Sequence, residues 1–304
     1  MPTDFSAVPP DPAQCAAQYP AQYAAQHPAQ YPAHEPHALA ADAAWLAALR
    51  ARSDAAPELP RMPLGWWQSA TLIGSIEPAW ADKLIAAGMP LRRTVCGWAV
   101  DAARGAPLDA ALANAAATLR RLGPAAAWRD ELVAVADNTG KVVARVERAA
   151  TRALGIATQS VHLVGATPEG GVWVQQRAFN KATDPGQWDT MVGGLVSAGE
   201  GVRDTLRRET TEEASLRITA LAQVAPMGHL SVRRPVPHGY MVERIDMFEA
   251  VVPKGLAPIH RDGEVAAFEC LGPAVLWQRL RAGLFTLEAS LILLHWLQRH
   301  SLVR

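Results

Sequence analysis

GGLVSAGEGVRDTLRRETTEEASL, residues 193–216, is the stretch whose reading decides the fold. At its centre stand Arg208, Glu209, Thr210, Thr211, Glu212 and Glu213. Residues three and four apart are neighbours on a helix, so Glu209, Glu212 and Glu213 share one face. Carboxylates that close repel each other and titrate upward unless a positive partner joins them. A hard cation with oxygen ligands is the natural partner. Val202, Leu206, Thr210 and Ala214, spaced by four, form a mostly apolar row beside them, as a buried helix stripe requires. The spacing therefore predicts a helix with one edge for the core and the next for a metal.

The stretch resembles the Nudix box: a glycine, a glutamate after five residues, then Arg-Glu-U-x-Glu-Glu-x-Gly-U after seven more, with U apolar. Gly194, Glu200, Arg208, Glu209, Glu212, Glu213 and Leu216 stand at those places. Two positions depart. Thr210 replaces an apolar residue but keeps a methyl group. Ser215 replaces the glycine that usually supplies the left-handed cap, so a different helix end is expected.

Outward from the box, SVHLVGATPEGGVWVQQRA, residues 160–178, reads as a hairpin of alternating apolar residues around Pro-Glu-Gly-Gly. NKATDPGQWDTMVGG, from residue 180, reads as a polar loop entering the box. Downstream, RITALAQVAPMGHLSVRR and YMVERIDMFEAVVP contain strands, with Arg233, Arg234, Pro235 and Pro237 marking a loop between them. DGEVAAF places Glu264 before another strand. TLEASLILLHWLQRH is an apolar helix with Leu287, Leu291 and Leu294 as its core stripe; His295 is read as packed.

Upstream, ERAATRALG reads as a helix closed by glycine. Between residues 41 and 155 the pattern is a small α/β unit: a helix carrying Trp45, Leu46 and Leu49, a strand and helix over 71–88, one strand in RRTVCGWAVD, a helix stopped by Gly123-Pro124, and a strand at DELVAVA whose partner KVVARVER turns helical. Residues 1–40 repeat Pro, Ala, Gln, Tyr and His; they offer little apolar bulk against chain entropy and read as disordered. The expected organisation is a tail over 1–40, an accessory α/β unit over 41–155, and the box-bearing unit over 156–304.

Composition narrows the partners. Net charge is zero and the pI about 7.1, which favours neither nucleic acid nor an anionic membrane. Three cysteines, Cys15, Cys96 and Cys270, lie far apart without metal spacing, so no disulfide framework or zinc site follows. No stretch approaches the roughly 18 apolar residues of a membrane span. No basic region followed by an apolar run marks a secretory signal. A reducing cytoplasm fits. Oligomeric state is left open.

ERAATRALG, VHLVG, WVQQR, KATDPGQWDTMVGGLVSAGE, EEASL and DGEVAAF together resemble one Nudix subgroup, similar to the Nudix region fused to thiamine pyrophosphokinase in some fungi. The resemblance implies an α/β/α sandwich with a mixed sheet, and hydrolysis of a diphosphate. The implied substrates are oxidised forms of thiamine diphosphate, cleaved to the monophosphate; ADP-ribose or another nucleoside diphosphate derivative is the alternative. An isopentenyl-diphosphate isomerase is disfavoured, because neither Cys96 nor Cys270 sits in a supporting motif. A non-catalytic binding module is disfavoured because every box glutamate is present.

Mg²⁺, with Mn²⁺ as the alternative, would neutralise the phosphoryl oxygens and activate water. The assigned ligands are Glu209, Glu212 and Glu213, and the Gly194 carbonyl by resemblance. Glu200 and Arg208 are expected to pair and fix loop against helix, Arg supplying a bidentate fork. The general base is open between Glu264, Glu209 and Glu213. Arg177 and Lys181 are candidates to grip the diphosphate. Asp189 is expected to order the loop before Gly193. Trp173 and Trp188 are weighed between ring stacking and packing, and His229 is a candidate polar contact.

Overall fold

A computed structural model describes residues 43–102, 107–125, 127–260 and 263–303. The tail expected over 1–40 lies outside the described residues. Helix α1, Ala43–Ser53, comes first. Strands β1, Met62–Trp66, and β2, Thr71–Ile76, form an antiparallel pair. Helix α2, Pro78–Ala86, opens with its proline at the first turn, where the missing N–H costs nothing. Strands β3, Leu91–Arg93, and β4, Trp98–Val100, complete a four-stranded sheet in the order β2-β1-β4-β3. The single strand expected over 92–101 is thus two, because Thr94 and Gly97 close a turn inside it.

Helix α3, Leu108–Leu122, buries Leu112, Ala115, Ala116 and Leu119, and stops at Gly123. Strands β5, Leu132–Ala136, and β6, Val142–Glu147, pair as a hairpin. The expected switch to helix within KVVARVER comes later: β6 runs to Glu147, and a 3₁₀ turn, Arg148–Ala150, leads into α4, Thr151–Leu154. Leu112, Leu119, Val133, Val146 and Leu154 share the core of this first unit.

A seven-stranded mixed sheet follows. Its strands are β7, Thr158–Ala166; β8, Val172–Arg177; β9, Trp188–Thr190; β10, Val192–Leu195; β11, Ala222–Val236; β12, Gly239–Val251; and β13, Val265–Leu271. The order is β11-β12-β7-β8-β13, with β10 on β7 and β9 on β8. Only β7 and β12 run parallel in it; the other pairs are antiparallel. Two expectations are corrected here. The polar run before the box is loop as far as Gln187 but strand from Trp188 onward apart from Met191, because Trp188, Asp189 and Thr190 are buried against β8 and Val192 pairs with Leu163. Arg233, Arg234 and Pro235 lie inside β11, with the turn after Val236. Proline is tolerated there because β11 is the sheet edge.

Helix α5, Val202–Ala214, covers one face of this sheet, burying Leu206 and Ala214 with Val161, Leu163 and Phe248. Helices α6, Pro273–Arg281, and α7, Leu287–Arg299, cover the other with Leu276, Trp277, Leu293 and Trp296. The architecture is a mixed sheet between helix layers, preceded by a smaller α/β unit. Leu49 of α1 lies in the α6–α7 core, not in that of the first unit. Helix α4 wedges against β12 so closely that a Cβ on Gly239 would sit 2.1 Å from the Arg152 carbonyl oxygen. No described helix is long and apolar enough to cross a membrane.

Candidate active site

The box segment folds as strand, loop and helix: β10, a turn through Glu200, then α5. Helix α5 ends at Ser215 in the left-handed conformation, φ 54°. The glycine's geometry is therefore kept without the glycine, and the Ser215 and Leu216 amides still cap Thr211 and Thr210.

Arg208 is the hub of the site. Its Nε and Nη2 form a fork on Glu200 at 3.0 and 2.9 Å. Its Nη1 reaches Glu209 at 2.7 Å and Glu212 at 3.0 Å, and Nη2 also reaches the Leu195 carbonyl. The hydrogen bonds that Arg208 donates to Glu200 raise its pKa beyond the ordinary value. The same fork, with Thr205, outweighs burial and holds the Glu200 carboxyl low. Loop and helix are thereby locked together.

Glu213 is buried, and its Oε2 accepts from the Gly193 amide at 2.9 Å and from Gln175 Nε2 at 3.0 Å. Burial pushes its carboxyl up to about 8, with Glu209 adding repulsion. Burial likewise pushes Glu209 up to about 7, against the pull of Arg208. Gly194 lies under Glu209: a Cβ there would fall 2.0 Å from its Oε1. Only glycine lets β10 and the carboxylate share that space.

A cavity of about 510 Å³ is lined by Glu131, Arg148, Ser197, Arg208, Glu209, Glu212, Glu213 and Glu264. Five carboxylates face two guanidiniums there, an all-oxygen, electron-rich donor set that suits a hard divalent cation. Among the described residues, no three such side chains form a ready-made cation cage, because Arg208 draws Glu209 and Glu212 to itself. A bound ion would complete its shell with water and substrate oxygens, as Mg²⁺ commonly does.

Glu264 reaches this cavity from the loop before β13. Burial would raise its carboxyl, but the Lys181 ammonium outweighs it and holds it low. Lys181 is paired with Glu264 and lines a second cavity beyond it, with Trp128, Arg129 and Asn180. Arg177 donates to the Thr183 carbonyl at 3.0 Å and approaches Asp189 at 3.4 Å, so it orders the loop between β8 and β9. Asp189 is buried and accepts from the Thr190 amide. Trp188 belongs to the α6–α7 core and Trp173 packs on the α5 core. His229 and the two described cysteines line neither cavity.

Gln175, His162, Glu131 and Arg148 escaped the sequence reading. Gln175 and the Gly193 amide hold Glu213. His162 packs on Gly193 and meets the Thr190 hydroxyl at 2.8 Å. VHLVG and WVQQR carried the signal for His162 and Gln175, as strand polar residues on an otherwise apolar pattern. Glu131 and Arg148 come from the first unit and had no local signal.

A NUDIX domain model matches residues 158–288. The chain is 26% identical over 163 residues to Nudix hydrolase 24, chloroplastic, of Arabidopsis thaliana, covering 52% of this chain and 45% of that one. It is 34% identical over 93 residues to an uncharacterised Nudix hydrolase of Pseudomonas aeruginosa, covering 31% and 55%. The chain thus spans about half the length of these relatives. DR0079 of Deinococcus radiodurans, a solved structure, is 24% identical with a TM-score of 0.42, covering 51% of this chain and 92% of that one. Residues 158–288, the span that the NUDIX domain model matches, carry the mixed sheet, the box helix and the clustered carboxylates.

Proposed function

We propose that the protein is a metal-dependent hydrolase of a diphosphate bond in a small molecule, with Mg²⁺ as the working ion and Mn²⁺ as a substitute. The observation that carries this is the carboxylate cluster of α5 set against Gly194 and braced by the Glu200–Arg208 fork. Glu209, Glu212 and Glu213 would hold the ion, with the Gly194 carbonyl beside them. The ion supplies charge neutralisation at the phosphoryl oxygens and a more acidic water. The chain's own groups do the rest. Arg208 holds the box glutamates in register. Gln175 and the Gly193 amide fix the Glu213 carboxylate. Glu264, ionised through Lys181, faces the same cavity and is placed to orient the attacking water. Lys181, which lines the second cavity beside Glu264, would exchange part of that pairing for the substrate's outer oxygens.

The substrate we favour is oxidised thiamine diphosphate, released as the monophosphate and phosphate in the cytoplasm. The support is the resemblance carried by KATDPGQWDTMVGGLVSAGE and DGEVAAF. Product analysis by phosphorus NMR tests it, with Mg²⁺ and oxidised thiamine diphosphates, thiamine diphosphate, ADP-ribose and isopentenyl diphosphate as substrates. Preference for the oxidised thiamine forms is expected. Preference for ADP-ribose would keep the metal site and reject the substrate. Turnover of none would sink the reading. Glu212→Gln with Glu213→Gln should leave a folded protein with little hydrolysis, and full activity in that variant would overturn the site assignment.

A further inference from the structure

The first unit does not merely precede the box-bearing unit; it forms one wall of its cavity. Strand β5 meets the box loop directly: the Ala198 amide donates to the Leu132 carbonyl at 2.8 Å, and Val133 bridges Ser197. This contact carries Glu131 to the Ser197 hydroxyl at 3.3 Å. Arg148 Nη1 pairs with Glu131 at 2.7 Å, and the Arg148 amide donates to the Glu131 carbonyl. A guanidinium from the first unit therefore stands in the same cavity as Glu209, Glu212 and Glu213. Around those glutamates the other cations are already committed: Arg208 to Glu200, Glu209 and Glu212, and Lys181 to Glu264. Arg148 remains 40% exposed on its side chain despite the Glu131 pair, so it retains donors to offer a phosphate. A planar fork is the group that suits phosphoryl oxygens.

Glu264 also lines a second cavity of about 460 Å³, whose first-unit wall includes Trp128 and Arg129. Trp128 is held rigidly. Its Nε1 donates to Asp130 at 2.7 Å, Arg120 stacks 4.7 Å from its ring centre, and buried Glu147 accepts from the adjoining Arg129 amide at 3.0 Å. A fixed indole in the neighbouring cavity is what a flat leaving group needs, since heteroaromatic rings stack on aromatic side chains.

We propose that the first unit completes the substrate site: Arg148 contacts the diphosphate, and Trp128 forms the wall against which a flat heteroaromatic leaving group lies. This deepens the proposed function and rests on its placement of the phosphates at the box. The test is calorimetry on the full chain with Mg²⁺. The probes are methylenediphosphonate and the methylene-bridged analogue of thiamine diphosphate, neither of which contains a cleavable P–O–P bond. The ring-bearing analogue should bind at least about tenfold more tightly than methylenediphosphonate. Trp128→Ala should remove most of that preference while leaving methylenediphosphonate binding intact, and Trp128→Phe should restore it. Arg148→Gln should weaken both probes about tenfold. An unchanged preference in Trp128→Ala, wild-type affinity in Arg148→Gln, or no binding of either probe overturns the inference. Hydrolysis of thiamine diphosphate and its oxidised forms, assayed in parallel, separates the two readings. Probe binding with the variant pattern but no hydrolysis leaves the subsite and removes the proposed function. Hydrolysis unaffected by either variant removes the subsite alone.

Discussion

Gly194 shows how much of the site is decided by single atoms. A methyl group added there would meet the Glu209 carboxylate at 2.0 Å, so either β10 or Glu209 must move. Displacing a catalytic group by about 1 Å costs on the order of 10²-fold in rate. Gly194→Ala is therefore expected to lower kcat by about that factor while the protein stays folded, checked by steady-state kinetics beside circular dichroism. An unchanged kcat would mean that Glu209 does not need its present position. Ser215 shows the opposite economy. It adopts φ 54° at the end of α5, a conformation that costs a side-chain-bearing residue about 1–2 kcal/mol. Glycine relieves that strain but gives back part of it through a freer unfolded chain. Ser215→Gly should raise stability by about 0.5–1 kcal/mol, read as a higher urea midpoint at unchanged slope.

Elements are joined by buried polar ties that local sequence does not announce. Glu243 of β12 accepts from Arg152 of α4 at 2.9 Å, Ser160 at 2.9 Å and Thr158 at 3.1 Å. Burial would raise its carboxyl, but Arg152 and Ser160 outweigh it and hold the pKa low. A carboxyl lowered by folding contributes stability that is present above its unfolded pKa and lost as pH falls through its folded one. Glu243→Gln, which strands Arg152, should cost about 3 kcal/mol at pH 7. The gap to wild type should close below the ordinary glutamate value of about 4.3. Urea titrations at pH 7 and pH 3 check this, and a gap independent of pH would show that the charge of Glu243 is irrelevant. The box glutamates were legible because helical spacing alone puts Glu209, Glu212 and Glu213 on one face. Strands β9 and β10 were not, because Asp189, Thr190, Gly193 and Gly194 look like loop until neighbouring strands bury them. Pro235 misled for the same reason: a sheet edge tolerates it, and edges are a property of the whole sheet. Glu131 and Arg148 lie 62 and 45 residues before Gly193 opens the box, and the pairing of β5 with the box loop brings them in.

At the scale of the molecule, the order of the chain and the order of its cores differ. Helix α1 precedes the whole first unit, yet Leu49 is buried with Leu276, Trp277 and Trp296. Trp45 meets Trp277 edge-on at 5.3 Å between ring centres, and Arg233 of β11 forks onto Asp54 just past the helix at 2.9 and 3.1 Å. We propose that α1 belongs energetically with residues 158–303, so the first unit is an insertion between two parts of one core. Trp45 is half-buried, and removing a fully buried Trp side chain costs about 3–5 kcal/mol. Trp45→Ala should therefore destabilise the unit over residues 158–303 by about 2 kcal/mol. Trp67, exposed beside Arg92, provides the control: its replacement by Ala should stay within about 0.5 kcal/mol of wild type. Denaturant unfolding gives both numbers. Hydrogen exchange on α6 and α7 then locates the loss. Faster exchange there in Trp45→Ala is expected if α1 seals that core, whereas exchange changes confined to the first unit would return α1 to the unit that follows it in sequence.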